Sequence, residues 1–167
     1  MKILKRAWRH LTTTKAEGKR LFPPETLTTI QSVIAAGEAM HRAEVRVIVE
    51  PALTLNEVFG GMTSRQRASE LFTLYRIWDT DENCGVLIYI NLADHQVEII
   101  ADRGLGNRIS PDDWQYVCAT MTNGFAQGEY HDSVIAGLRQ LNELLKRRFP
   151  DTSATQFDQL SNLPILL

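Results

Sequence analysis

The run Asp79-Thr80-Asp81-Glu82-Asn83 and the pair Asp102-Arg103 hold the residue types best suited to chemistry in this chain. Carboxylate and amide oxygens gathered around one point suit a hard cation such as Ca²⁺ or Mg²⁺. A carboxylate beside a guanidinium suits a phosphoryl group: Asp102 or Asp79 could attack it or position metal-bound water, while Arg103 orients it. The two runs are far apart in sequence. Between them, however, Gly85 to Asn91 (GVLIYIN) and Gln96 to Asp102 read as two apolar strands around the turn Ala93-Asp94-His95. A hairpin brings its open ends together, so Asp79, Asp81 and Asn83 are expected to share one sheet edge with Asp102 and Arg103. The bland reading stands beside this one, because Asp and Asn at such positions routinely cap helices and make turns.

Other constellations are weaker. The D-T-D-E-N spacing matches the first half of an EF-hand loop, but Cys84 stands where that loop needs glycine. Ile90 stands where it needs the bidentate glutamate, and a strand follows instead of a helix. Glu38-x-x-His41-x-x-Glu44 places Glu38 and His41 on one helix face and Glu44 beyond the helix end, so it is no HExxH-type zinc motif. A histidine near a helix C-terminus also suits the dipole, which competes with a ligand role for His41. Arg103-Gly104-Leu105-Gly106 could cradle a phosphate through its backbone N–H groups, although a strand exit needs glycines anyway. Nucleophilic catalysis by serine or cysteine finds no support: there is no GxSxG elbow, and neither Cys84 nor Cys118 has a neighbouring His. The two cysteines form no CxxC pattern and read as buried thiols.

The elements that position these residues follow from periodicity and punctuation. Pro23-Pro24 opens a helix from about Glu25 to Met40, with Leu27, Ile30, Val33 and Ile34 at helical spacing. Glu44 to Glu50 (EVRVIVE) alternates and reads as the first strand, stopped by Pro51. A loop with Gly60-Gly61 leads to a helix capped by Thr63 and running to about Trp78; Phe72, Tyr75, Trp78 and Tyr89 sit at core spacing. The unbroken apolar run of the second strand suggests a central strand covered on both faces. Ser110-Pro111-Asp112-Asp113 starts another helix, Gly128 breaks it, and a last helix covers about Asp132 to Arg148. The order predicts an α/β protein, a three-layer α/β/α sandwich with a small mixed central sheet. Strands one and two should be parallel and strand three antiparallel to strand two. That direction adds His41 and Glu44 to the edge that holds Asp79, Asp81, Glu82, Asn83 and Asp102; the opposite edge offers Glu50, Asn91, Asp94 and His95.

At 167 residues the chain fits one core domain, residues 23–150, between a basic extension, 1–22, and a tail, 151–167. A formal charge of -2 argues against a dedicated nucleic-acid binder. Residues 1–20 nevertheless carry seven Lys and Arg against Glu17 alone, so the remainder is clearly acidic. Ile3, Leu4, Trp8 and Leu11 beside Lys5, Arg6 and Arg9 could form a short amphipathic helix that touches a membrane or docks on the domain, and docking is the favoured reading. No apolar run reaches signal-peptide or transmembrane length, so the expected compartment is cytoplasmic. No organic cofactor is expected.

These residues resemble the TPM-domain family, sometimes labelled TPM phosphatase, over about Glu38 to Phe149. The resemblance rests on ExxHxxE, RASELF, WDTDENCGVLIYI, LADHQVEIIADRG, FxxGEY and RRFP, and the chain looks like the short bacterial branch without a membrane segment. It implies an α/β/α fold and divalent-cation binding at acidic loops in some relatives. It further implies weak acid phosphatase activity in a plant member and accessory roles at membrane complexes in others. Asp79, Asn83, Gly85, Asp102 and Gly104 match the family pattern. Gly106 departs from it, standing where relatives carry a glutamate, which puts inherited phosphatase activity in doubt. Two functions therefore stay open: a cation-binding accessory module for membrane-protein maintenance or stress response, working with a membrane-associated protein or complex, and a weak metal-dependent phosphatase acting on phosphomonoesters.

Overall fold

The computed structural model describes residues 2–105, 108–151 and 159–167. The elements in chain order are α1 (Lys2–Thr12), α2 (Lys15–Leu21), α3 (Pro24–Glu38), β1 (Glu44–Glu50), α4 (Leu55–Phe59) and α5 (Ser64–Leu74). They continue with β2 (Gly85–Asn91), β3 (Gln96–Ala101), α6 (Pro111–Gln127), α7 (Tyr130–Arg148) and β4 (Ile165–Leu166). β1 runs parallel to β2 with Glu44 opposite Gly85 and Glu50 opposite Asn91. β3 returns antiparallel to β2, Val86 facing Ala101 and Asn91 facing Gln96. The sheet order is β3-β2-β1-β4, with β4 parallel to β1.

Alternation along the strands divides the core in two. Val45, Val47 and Val49 of β1 and Val86, Ile88 and Ile90 of β2 face a large cluster that includes Ile30 and Ile34 of α3, Met121 of α6 and Leu138 and Leu141 of α7. Ile48, Leu87 and Tyr89 point the other way, onto Ala68 and Leu71 of α5 and Ile77 behind it. Residues two apart on a strand share a face, so this split is the pleat itself. The result is the expected three-layer sandwich. All seven residues of β2 are buried, as a strand covered on both faces requires. Each fully buried Val, Leu or Ile contributes about 1.5–3 kcal/mol, so the sheet is the rigid platform on which its end loops hang.

Differences from expectation fall at element ends and in the tail. The loop before Gly60 contains α4, whose N-cap Thr54 makes a reciprocal capping box with Glu57. α5 stops at Leu74 rather than near Trp78. Arg76 takes a left-handed conformation (φ 52), its N–H donates to the Thr73 carbonyl, and the Ile77 N–H donates to the Phe72 carbonyl. This is a Schellman termination, with Arg76 where glycine is usual and buried Ile77 as its apolar contact. Trp78 consequently falls in a loop and is exposed, so its expected place in the core is corrected. α6 matches its cap and break: the Ser110 hydroxyl accepts from the Asp113 N–H, and Gly128 (φ 81) ends the helix. The end of the tail joins the sheet through β4.

Candidate functional site

The two ends of the β2–β3 hairpin do share one volume. The Asp102 N–H donates to the Gly85 carbonyl at 2.9 Å, and the Gly104 N–H donates to the Asn83 carbonyl at 2.7 Å. A Cβ on Gly104 would lie 2.0 Å from the Glu82 carbonyl oxygen, and one on Gly85 would lie 1.8 Å from that of Ile77. Only glycine permits these approaches, which explains both residues in physical terms. Asn83 is left-handed (φ 52), and its side-chain oxygen accepts from Arg103 Nε at 3.3 Å. Asp79, Asp81, Glu82, Asn83, Asp102 and Arg103 therefore occupy one edge, at the N-terminal ends of the parallel strands.

Sharing an edge is not converging on a point. Asp79 is exposed and pairs with Arg76 at 2.8 Å. Asp81 is engaged by Gln159, whose amide donates to its Oδ2 at 2.6 Å while the Asp81 N–H donates back to the Gln159 side chain at 2.8 Å. Glu82 pairs with Arg42 at 3.1 Å, and Arg42 also lies over the Phe149 ring. Asp102 is half-buried; its Oδ1 accepts from the Arg103 N–H at 2.7 Å, whereas its Oδ2 is buried without a hydrogen-bond partner among the described residues. Among the described residues, no three His, Cys, Asp or Glu side chains stand close enough together to hold a metal. Gly106 lies outside the described residues.

The Glu38-x-x-His41-x-x-Glu44 stretch acts as a set of ties. Glu38 Oε1 accepts from the Val45 N–H at 2.8 Å, fixing the start of β1. His41 is fully buried, with Nε2 at 3.3 Å from the Asn142 side-chain oxygen, and burial holds its pKa below the usual value. Glu44 Oε2 accepts from the N–H groups of Gln159 and Leu160, holding the tail against the sheet. Cys84 is buried, and its thiol donates to the Arg42 carbonyl at 3.0 Å; burial pushes its pKa up. Cys118 is only half-buried, and burial pushes it up to about 11. Neither thiol is activated.

The opposite edge is more tightly wired than its sequence suggests. Tyr89 donates to Glu50 Oε2 at 2.6 Å, Asn91 donates to the Tyr89 oxygen at 3.0 Å, and Arg67 grips both Glu50 oxygens. Asn91 also accepts from the Asp94 N–H, and Asp94 receives Arg6 of α1 at 2.7 Å. An open cleft of about 690 Å³ lies nearby, lined among others by Asn56, Glu57, Gly61, Arg65, Gln66 and Glu70. Sequence reasoning missed Arg67 because nothing in its spacing points to Glu50.

The fold and this hairpin junction define an α/β/α domain with acidic and guanidinium groups on the end loops of a mixed sheet. The TPM domain family matches residues 17–144, and the chain belongs to that family. Among solved structures, the NMR structure of the BA42 protein from the psychrophilic Bizionia argentinensis is similar, with a TM-score of 0.74 and 24% identity. The match covers 85% of this chain and 92% of that one, and it shows the fold. No curated protein matches the chain.

Proposed function

We propose that this TPM-domain chain is a binding module that takes up a divalent cation, Ca²⁺ or Mg²⁺, where the loop 79–83 meets Asp102. In this reading it serves a membrane-associated partner rather than turning over a substrate. The observation that carries the proposal is Asp102 Oδ2, a carboxylate oxygen buried without a donor among the described residues, at the junction of two loops. Such an atom costs on the order of 1–3 kcal/mol or more, and a cation offsets that cost. The donor chemistry fits a hard cation, since Asp79, Asp81, Asn83 and Asp102 all offer oxygen. Capture requires rearrangement: Asp79 exchanges Arg76, and Asp81 exchanges the Gln159 amide, for the ion. Arg103 then keeps Asn83 and Asp102 together.

An NMR titration with Ca²⁺ or Mg²⁺ tests this. The amides of Asp79–Gly85 and Asp102–Gly104 are expected to shift together at sub-millimolar cation, and Asp102→Asn to abolish the shift. Separate or absent shifts defeat the shared site. Phosphomonoester turnover that survives purification and disappears in Asp102→Ala would make the same junction catalytic.

A further inference from the structure

Helix α1 turns its apolar side outward. Leu4, Trp8 and Leu11 are 64%, 66% and 59% exposed, and their i, i+4, i+7 spacing puts them on one face. The inner face is made instead by Ala7 and His10, which are buried, and by Arg6, which grips Asp94. Ala7 packs with Leu53, Val58 and Met62, so α1 rests on α4 and the strand-end loop before it. On α4, Leu55 and Phe59 are exposed as well. Six of the ten exposed large apolar residues among those described belong to these two helices. A patch of this kind on a folded domain marks an interaction surface.

Charge decides what covers it. Seven Lys and Arg against one Glu leave +6 in residues 1–20, and since the whole chain is -2, the remainder is -8. Lys2, Lys5 and Arg9 form a second strip of α1 beside the apolar one, and Lys15, Lys19 and Arg20 are exposed on α2. Apolar residues including a tryptophan, bordered by cations on a short helix, suit the boundary between acyl chains and anionic headgroups. The acidic body is repelled by the same headgroups, which fixes the orientation. A two-fold contact between copies through α1 would bring Lys2, Lys5 and Arg9 of the two copies together, so a second copy is the poorer occupant.

We infer that the outer face of α1, Leu4, Trp8 and Leu11 with Lys2 and Lys5 beside them, docks on an anionic lipid bilayer. This surface is separate from the hairpin junction, and the inference stands without the cation reading. Co-sedimentation of the full chain with vesicles tests it, comparing phosphatidylcholine alone with phosphatidylcholine mixed with phosphatidylglycerol. The chain is expected to partition at least about tenfold more strongly into the mixed vesicles, since each basic residue near such a surface is worth roughly fivefold. Replacing Leu4, Trp8 and Leu11 together by Ser should abolish partitioning while leaving the thermal midpoint unchanged, because the three side chains are exposed. Lys2→Glu with Lys5→Glu should weaken it more than about tenfold. Three outcomes overturn the inference: no partition into the mixed vesicles, which gives the face to a protein partner; equal partition into both vesicle types; or partition that survives the triple substitution. Light scattering that shows a dimer lost on the triple substitution, without vesicles, also overturns it and assigns the face to a second copy.

Discussion

At the scale of single residues, the chain separates polar groups that look functional from polar groups that are wired in. Asp79 and Asp81 stand out in sequence as ligands, yet their partners Arg76 and Gln159 carry no signal that a motif would reveal. Glu50 reads only as the last residue of a strand, yet it is 6% exposed and receives both Tyr89 and Arg67. Burial and the Glu50 charge push the Tyr89 phenol far above its usual range, so it remains a donor at every working pH. Arg67→Ala removes the guanidinium and leaves a buried carboxylate without its counter-charge, a loss of about 3–5 kcal/mol. Tyr89→Phe removes one donor and leaves Arg67 in place, which costs about 1–3 kcal/mol. Urea unfolding of both variants checks the order; an Arg67→Ala loss no larger than that of Tyr89→Phe would show that water replaces the guanidinium. The pair was not legible because a long-range ion pair depends on the fold and not on spacing.

At the scale of elements, a buried histidine joins Arg6 and Ala7 in docking α1. His10 is buried, its Nδ1 accepts the Leu53 N–H at 2.9 Å, and its Nε2 lies 3.1 Å from Asp94 Oδ1. Burial lowers the His10 pKa, and Arg6 and Arg9 add to that, outweighing the opposing pull of Asp94. For Asp94, burial raises the pKa, but the hydrogen bond from Arg6 and the nearby cations more than reverse it, so it stays ionised. A histidine with a lowered folded-state pKa takes up its proton more readily when undocked. Its stabilisation is therefore complete above the free value of about 6.5 and is lost as pH falls from there through the folded pKa. Protonation at Nδ1 also removes the acceptor for Leu53. The thermal midpoint should drop as pH falls below about 6.5, and amide exchange at Leu53 should speed up over the same range. His10→Gln should flatten the slope without abolishing it, because buried His41 contributes in the same direction. An unchanged slope in His10→Gln would remove His10 from the account. The three long strands and the α6 cap were readable because alternation and the Ser-Pro-Asp-Asp start are local. The end of α5 was not, since Arg76 fills the left-handed position that glycine usually announces.

At the scale of the whole molecule, the chain's last residues close the sheet that its middle builds. Among the described residues, β1 has β2 on one side and, on the other, the pairs Ile48–Ile165 and Val49–Leu166, extended by the Leu167 N–H to the Val49 carbonyl. Glu44 holds the N–H groups of Gln159 and Leu160, Arg46 donates to the Ser161 carbonyl, and Leu160, Ile165 and Leu167 pack on the cluster around Ile48 and Leu71. A two-residue strand has too few positions for periodicity to reveal it, so this closure is not legible in the sequence. Ending the chain after Asp151 removes four half-buried apolar side chains, Leu160, Ile165, Leu166 and Leu167, worth roughly 3–6 kcal/mol. It also uncovers the open edge of β1, and an open edge flanked by apolar residues is a template for pairing with another chain. The truncated protein should therefore lose stability in urea by about that amount and self-associate on size exclusion. Glu44→Gln, which keeps the strand but weakens the anchor, should lose less stability and stay at the parent's size. A truncated chain that matches the parent in both urea midpoint and size would show that β4 only decorates the sheet. Loss of stability without self-association would mean that β1 finds other cover for its edge. The same truncation also removes Gln159 and frees Asp81, so tighter Ca²⁺ binding by the truncated chain is the outcome expected if that amide competes with the cation.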